Sequence, residues 1–102
     1  MQPVGSGLRL LLDDEVAALA AELEGWQVQS GKLSREFRFA NFVEAIAFIA
    51  RVAVEAEALD HHPNWSNVYN RVQVELWTHA LGGLSHLDFD LARKMNELSH
   101  NA

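Results

Sequence analysis

Residues 41–78 read NFVEAIAFIARVAVEAEALDHHPNWSNVYNRVQVELWT, and the change of rhythm inside this stretch decides the fold. From Asn41 onward apolar residues recur at helical spacing, and Asn41 with Glu44 forms the pattern of a capping box, whose side chains satisfy free amides of the first turn. This predicts a long helix over about Phe42 to Asp60. Two adjacent apolar rows run along it, Phe42, Ile46, Ile49, Ala53 and Ala56 beside Val43, Ala47, Ala50 and Val54. A stripe that wide is expected to lie against a sheet. Pro63 has no amide hydrogen and disfavours helical geometry at the residue before it, so the helix should stop near His61. Beyond the proline the period falls to two: Val72, Val74 and Leu76 alternate with Arg71, Gln73 and Glu75. A strand pair is expected from Trp65 to about Tyr69 and from Val72 to about Thr78, joined around Asn70.

The same two rhythms recur on either side. Upstream, after a loose start containing Gly5 and Gly7, a first helix is expected from about Asp14 to Glu24, with Asp13 as its N-cap and Val16, Leu19, Ala20 and Leu23 as its apolar stripe. Gly25 suits the left-handed residue that ends helices, and Trp26 follows where an apolar residue often folds back. A hairpin should come next. Trp26 and Val28 precede a Ser30–Gly31 turn, after which Leu33, Phe37 and Phe39 alternate with Ser34, Glu36 and Arg38. Downstream, Gly82 and Gly83 break the chain, Ser85 and Asp88 make a second capping pair, and Leu84 is placed to staple against Phe89. A third helix carries Leu87, Leu91, Met95 and Leu98 on one side. The predicted architecture is α+β: a four-stranded antiparallel sheet with three helices packed on one face, in the order α-β-β-α-β-β-α, as a single domain over residues 1–102.

Composition narrows the function. Apolar residues make up 49% and charged residues 22%, the balance of an ordinary globular chain. With 14 acidic against 8 basic residues the net charge is −6, which opposes binding to a phosphate backbone, so direct contact with nucleic acid is not expected. There is no cysteine, hence no disulfide, thiolate metal site or thiol nucleophile. The patch Leu8–Leu12 holds Arg9 and is too short for a secretory signal, and no apolar stretch reaches the length of a membrane span, so a cytoplasmic location is expected.

Five histidines are present. His86 and His100, at a helix start and near the C-terminus, are read as surface residues. His61 and His62 stand at a helix end, where free carbonyls favour a protonated imidazole, and Glu57 one turn earlier is expected to pair with His61 and favour it again. Such a group exchanges protons near neutrality. His79 lies where a strand runs out toward a glycine break. A helix-end histidine is also commonly a simple cap, so spacing leaves both readings open. Zinc is a further reading of three histidines, but consecutive residues seldom converge on one ion, and no metal is expected. Trp65 and Trp77 could stack on a flat heterocycle or simply pack in the core. Asp88 could orient an imidazole, but its capping position explains it without that role.

Taken together, Glu57, His61-His62-Pro63, Tyr69, His79 and Asp88 are spaced in a pattern that resembles the pterin-4a-carbinolamine dehydratases. The likeness extends through Arg51-Val52-Ala53, Ala56, Leu59 and Asp60, then Trp65, Asn67-Val68-Tyr69-Asn70 and Thr78, to Gly83-Leu84-Ser85. It covers the chain from about Leu12 to the last helix, and the glycine pair is more like the bacterial form. Two positions depart from the pattern: Asp13 replaces a usual Ser or Thr, and Trp77 stands where animal members tend to have a smaller residue.

The resemblance implies an enzyme that removes water from 4a-hydroxytetrahydrobiopterin, giving the quinonoid dihydropterin during tetrahydrobiopterin recycling, with no metal or organic cofactor. It implies His61, His62 and His79 as catalytic residues: His61 and His79 in proton transfer, His62 holding the pterin and Glu57 orienting the cluster. Substrate binding would fall to Glu57, Asp60, His61, His62, Pro63, Trp65, Thr78 and His79. A homodimer joined edge to edge through the sheets, or a homotetramer joined through helices, is implied, as is a functional link to an aromatic amino acid hydroxylase. The alternative is a non-catalytic dimerisation or interaction module of the same fold, since animal relatives also serve as dimerisation cofactors of a homeodomain transcription factor.

Overall fold

The computed structural model describes residues 8–100, so the start containing Gly5 and Gly7 lies outside the described residues. The elements follow the predicted order: α1 (Asp13–Ala21), β1 (Gln27–Gln29), β2 (Lys32–Arg38), α2 (Phe42–Leu59), β3 (Asn64–Val68), β4 (Arg71–Leu76) and α3 (His86–His100). A single 3-10 turn, His79–Leu81, sits between β4 and α3. The strands form one antiparallel sheet in the order β1-β2-β4-β3.

Alternation along the strands separates the two faces of this sheet. Leu33 opposite Leu76 and Phe37 opposite Val72 are buried, whereas Ser34 opposite Glu75 and Glu36 opposite Gln73 belong to the other, wetter face. Ser30 and Gly31 both take positive φ, 51° and 73°, the geometry of a two-residue hairpin turn whose twist matches its strands. Phe48 of α2 meets Phe37 of β2 and Phe39 just beyond it at centroid distances of 4.8 and 4.9 Å, forming the aromatic centre of the core.

Two details differ from the sequence reading. Asp13 is the first helical residue of α1 and Leu12 is the cap; the free Leu12 amide donates to the Glu15 carboxylate at 2.8 Å, so the acid three residues on does the capping. Arg9 grips the same carboxylate with two nitrogens, each at 2.7 Å. Held by that guanidinium and by the Leu12 amide, the Glu15 carboxyl is lowered to about 2. The helix also ends at Ala21 and not Glu24, its last carbonyls being taken by tight bonds from the Glu22 and Leu23 amides.

The second difference concerns α2. Its buried face is Ala45, Phe48, Val52 and Ala56, whereas Phe42, Val43, Ile46 and Val54, all assigned to the sheet-facing stripe, are exposed by 48, 74, 41 and 67%. This helix carries only Glu44, Arg51, Glu55 and Glu57 as charged residues and is apolar on nearly every side, so periodicity does not single out the face that meets the sheet. Phe48, a bulky residue of one narrow row, meets Phe37 and Phe39, and Val52 joins it in the same core. Of the two predicted rows, Ala56 is buried and Ile49 packs partly against the core, while most of the rest is exposed.

Close approach explains two glycines. A Cβ at Gly25, which also takes φ +84°, would lie 2.6 Å from the Arg35 guanidinium, and one at Gly83 would lie 2.8 Å from Leu10. The segment before α1 lies against the start of α3, where the Leu11 amide donates to the Leu84 carbonyl at 2.9 Å.

Candidate active site

The end of α2 determines where the two consecutive histidines go. Asp60 takes φ +53°, ψ +42°, the left-handed conformation that Asp tolerates better than most residues. The Asp60 amide then donates to the Glu57 carbonyl at 3.1 Å and the His61 amide to the Ala56 carbonyl at 3.0 Å, the paired bonds of a Schellman turn. One left-handed residue ends the helical spacing. The expected pairing of Glu57 with His61 is therefore wrong: Glu57 is exposed and its Oε1 lies 2.9 Å from Nε2 of His62. His61 turns inward instead and is only 7% exposed.

Its partner is Asp88. His61 Nε2 lies 2.6 Å from Asp88 Oδ1, while Asp88 Oδ2 accepts the Thr78 hydroxyl at 2.9 Å and the Ser85 amide at 2.9 Å. A carboxylate accepts and does not donate, so the proton on the shared edge belongs to His61 Nε2, and Nδ1 is the nitrogen not committed to Asp88. Thr78 spends its one hydroxyl proton on Asp88, so the Ser85 hydroxyl must donate to Thr78 Oγ1. Asp88 thus completes the cap of α3, as read from spacing, and also anchors a buried network drawn from the segment after β4, the start of α3 and the loop after α2. Thr78, Ser85 and Asp88 are all buried, and among the described residues no buried side-chain nitrogen or oxygen lacks a partner.

His79 reaches the same place from the other side. Beyond β4, Thr78 forms an isolated bridge with Gly83, and its carbonyl receives the Leu81 and Gly82 amides, which curls His79 into the 3-10 turn that Gly82 closes at φ +67°. The imidazole is exposed and stacks on Trp77, with ring centroids 4.3 Å apart and planes inclined by 19°.

Between these walls lies a cleft of about 290 Å³, lined by Leu8, Leu59, Asp60, His61, His62, Trp77, Thr78, His79, Ala80 and Leu87. All three expected catalytic histidines line it, with Asp60 and Thr78. Glu57, Pro63 and Trp65 do not. Glu57 reaches the cleft only through His62, and Trp65 packs from β3 against the core, half-buried. Leu8 was not among the expected site residues, because sequence patterning has no means of folding the N-terminal segment over Gly83. His86 and His100 stand outside the cleft, His86 paired with Asp90 at 3.0 Å. Among the described residues no group of three histidine, aspartate or glutamate side chains is placed to hold a metal ion, and no helix is long and apolar enough to cross a membrane.

A partly apolar cleft rimmed by imidazoles, with a buried carboxylate behind one of them, suits proton exchange on a small ring. Comparison with known proteins gives the family. A protein of Synechococcus sp. (strain WH7803) provisionally named pterin-4-alpha-carbinolamine dehydratase is 56% identical over 89 residues, covering 87% of this chain and 96% of its own. A protein of the same provisional name from Prochlorococcus marinus (strain AS9601) is 46% identical over 89 residues, covering 87% and 93%. The crystal structure of a transcriptional coactivator/pterin dehydratase from Brucella melitensis superposes with a TM-score of 0.87 at 42% identity, over 89% of this chain and 99% of that one. The profile described as pterin 4 alpha carbinolamine dehydratase matches residues 9–98, and on these grounds the chain belongs to the pterin-4-alpha-carbinolamine dehydratase family.

Proposed function

We propose that the chain is a hydro-lyase that removes water from 4a-hydroxytetrahydropterin to give the quinonoid dihydropterin, by general acid and base catalysis through His61, His62 and His79. The observation that carries this reading is the convergence of all three imidazoles on one cleft, one of them backed by the buried Asp88. In the reaction the C4a–O bond breaks, the hydroxyl leaves as water with a proton from an acid, the N5 proton passes to a base, and the C4a–N5 double bond forms. One group must give a proton and another take one, and imidazole does both near neutrality. His61 and His79, which line the cleft from different segments of the chain, are assigned these transfers. His62 holds the pterin with Glu57 fixing its ring, and Asp88 takes over the orienting of His61. Asp60 and Thr78 complete the substrate wall. The reaction calls for no metal or cofactor.

Two exposed features support a homo-oligomer, dimer or tetramer: the apolar face of α2 around Val43 and Val54, and the open edge at β3, with Val68 and Tyr69 exposed. A role in tetrahydrobiopterin recycling beside an aromatic amino acid hydroxylase, in the cytoplasm, is the setting this chemistry suits. The test is the decay of freshly generated 4a-hydroxytetrahydropterin with and without the protein. Acceleration is expected. No acceleration would overturn the reading and favour a binding module, the second reading, which the coactivator name of the Brucella melitensis structure supports.

A further inference from the structure

Each histidine of the cleft has a different kind of neighbour. His61 is held by Asp88 and His62 by Glu57, but among the described residues the His79 imidazole has neither a hydrogen bond nor an ion pair. Its backbone is fixed by the Thr78–Gly83 bridge and the 3-10 turn. Its ring is not, except by Trp77. That indole lies 4.3 Å from the imidazole in near-parallel stacking, is half-buried against the core, and carries the Lys32 ammonium 4.2 Å from its ring centroid. Lys32 comes from the start of β2, so the stack ties the segment after β4 to a neighbouring strand.

From this arrangement we infer that Trp77 is the positioning residue for His79: the indole sets the plane of the imidazole in the cleft, and Lys32 steadies the indole. The physical basis is that an exposed imidazole rotates freely about its side-chain bonds, whereas a ring stacked on an anchored aromatic surface keeps one orientation. A proton carrier is effective only while its nitrogen stays within hydrogen-bond reach of the reacting atom. The inference rests on the assignment of His79 to proton transfer, but the stack can be tested apart from it.

Two measurements on the full chain decide the matter. In proton–carbon spectra, the His79 ring protons of the parent should lie upfield of those of the exposed His100, because they sit over the indole, and should move to the exposed position in W77L. In steady-state dehydration, W77L should lose about tenfold to a hundredfold in kcat with KM changed by less than about twofold, and W77F should recover to within about threefold of the parent. K32M should cost about two- to threefold in kcat, with a partial shift of the same resonances. A raised KM at unchanged kcat would overturn the inference by making Trp77 a substrate contact. A kcat loss matching only the unfolded fraction would overturn it by making Trp77 a packing residue. Should W77L fail to fold, the parent spectrum still decides, since His79 protons at the exposed position would mean that no stack forms. A parent that stacks His79 but dehydrates nothing would sink the proposed function and not the stack.

Discussion

On one side of the cleft His61 is almost fully buried and fastened to Asp88, which is itself fastened to Thr78 and Ser85; on the other, His79 stands exposed with an indole as its neighbour. The first wall is assembled from charge-assisted hydrogen bonds among buried groups, where every group depends on the others. The second depends on ring contact at the surface. The difference teaches that stability and catalysis should separate between the walls: disturbing the buried wall ought to harm both, and disturbing the open wall ought to harm catalysis alone.

The largest effect is expected from Asp88→Ala. It leaves the His61 edge and the Thr78 hydroxyl buried without their acceptor and removes the α3 cap, so the unfolding free energy should fall by about 3–5 kcal/mol, read as a lower midpoint in urea, with dehydration lost as well. His79→Ala comes next and breaks the comparison if it behaves like Asp88→Ala. Loss of one proton carrier should slow dehydration by about 10²- to 10⁴-fold, while the same urea curve moves by no more than about 0.5 kcal/mol. Glu57→Gln should do less on both counts, because its pair with His62 is exposed and screened: the stability change should stay under about 1 kcal/mol, with any kinetic effect appearing in KM.

The smallest effect concerns the segment that brings Leu8 to the cleft. The Glu15 carboxyl titrates near 2 in the folded chain against 4.5 ordinarily, so its pairing with Arg9 stabilises the fold fully above about 4.5 and is progressively lost as the pH falls toward 2. Arg9→Gln should remove much of that dependence. Thermal melts from pH 5 down to 2 should then decline less steeply in the variant than in the parent, on top of the general acid destabilisation both share.

Much of this was legible in the sequence because it is locally encoded. The Ser30–Gly31 turn, the Asn41–Glu44 cap, the proline stop and the alternation around Val72 and Val74 each act within a few residues, and together they give the element order. The three histidines were legible as candidates by residue type and, for His79, by the family resemblance. What was hidden is what depends on tertiary partners or on a single backbone angle. The left-handed turn at Asp60 moves Glu57 from His61 to His62, and helical spacing cannot foresee it. Asp88 was open to a role in orienting an imidazole, but its capping position accounted for it locally, and spacing alone does not name His61 as its partner. The face of α2 was misread because alanine and valine surround that helix. Trp77 and His79 stand two residues apart at the end of a strand, the spacing that places side chains on one side, so their contact was within reach of pattern reading.

The central claim is that a buried, clamped imidazole and an open, stacked one share the proton transfers of a single cleft. The most direct measurement is the dehydration rate of 4a-hydroxytetrahydropterin with His61→Ala and with His79→Ala, each checked to be folded. The account predicts that each variant is slower than the parent by at least about a hundredfold. Either variant working within about twofold of the parent's rate would contradict it.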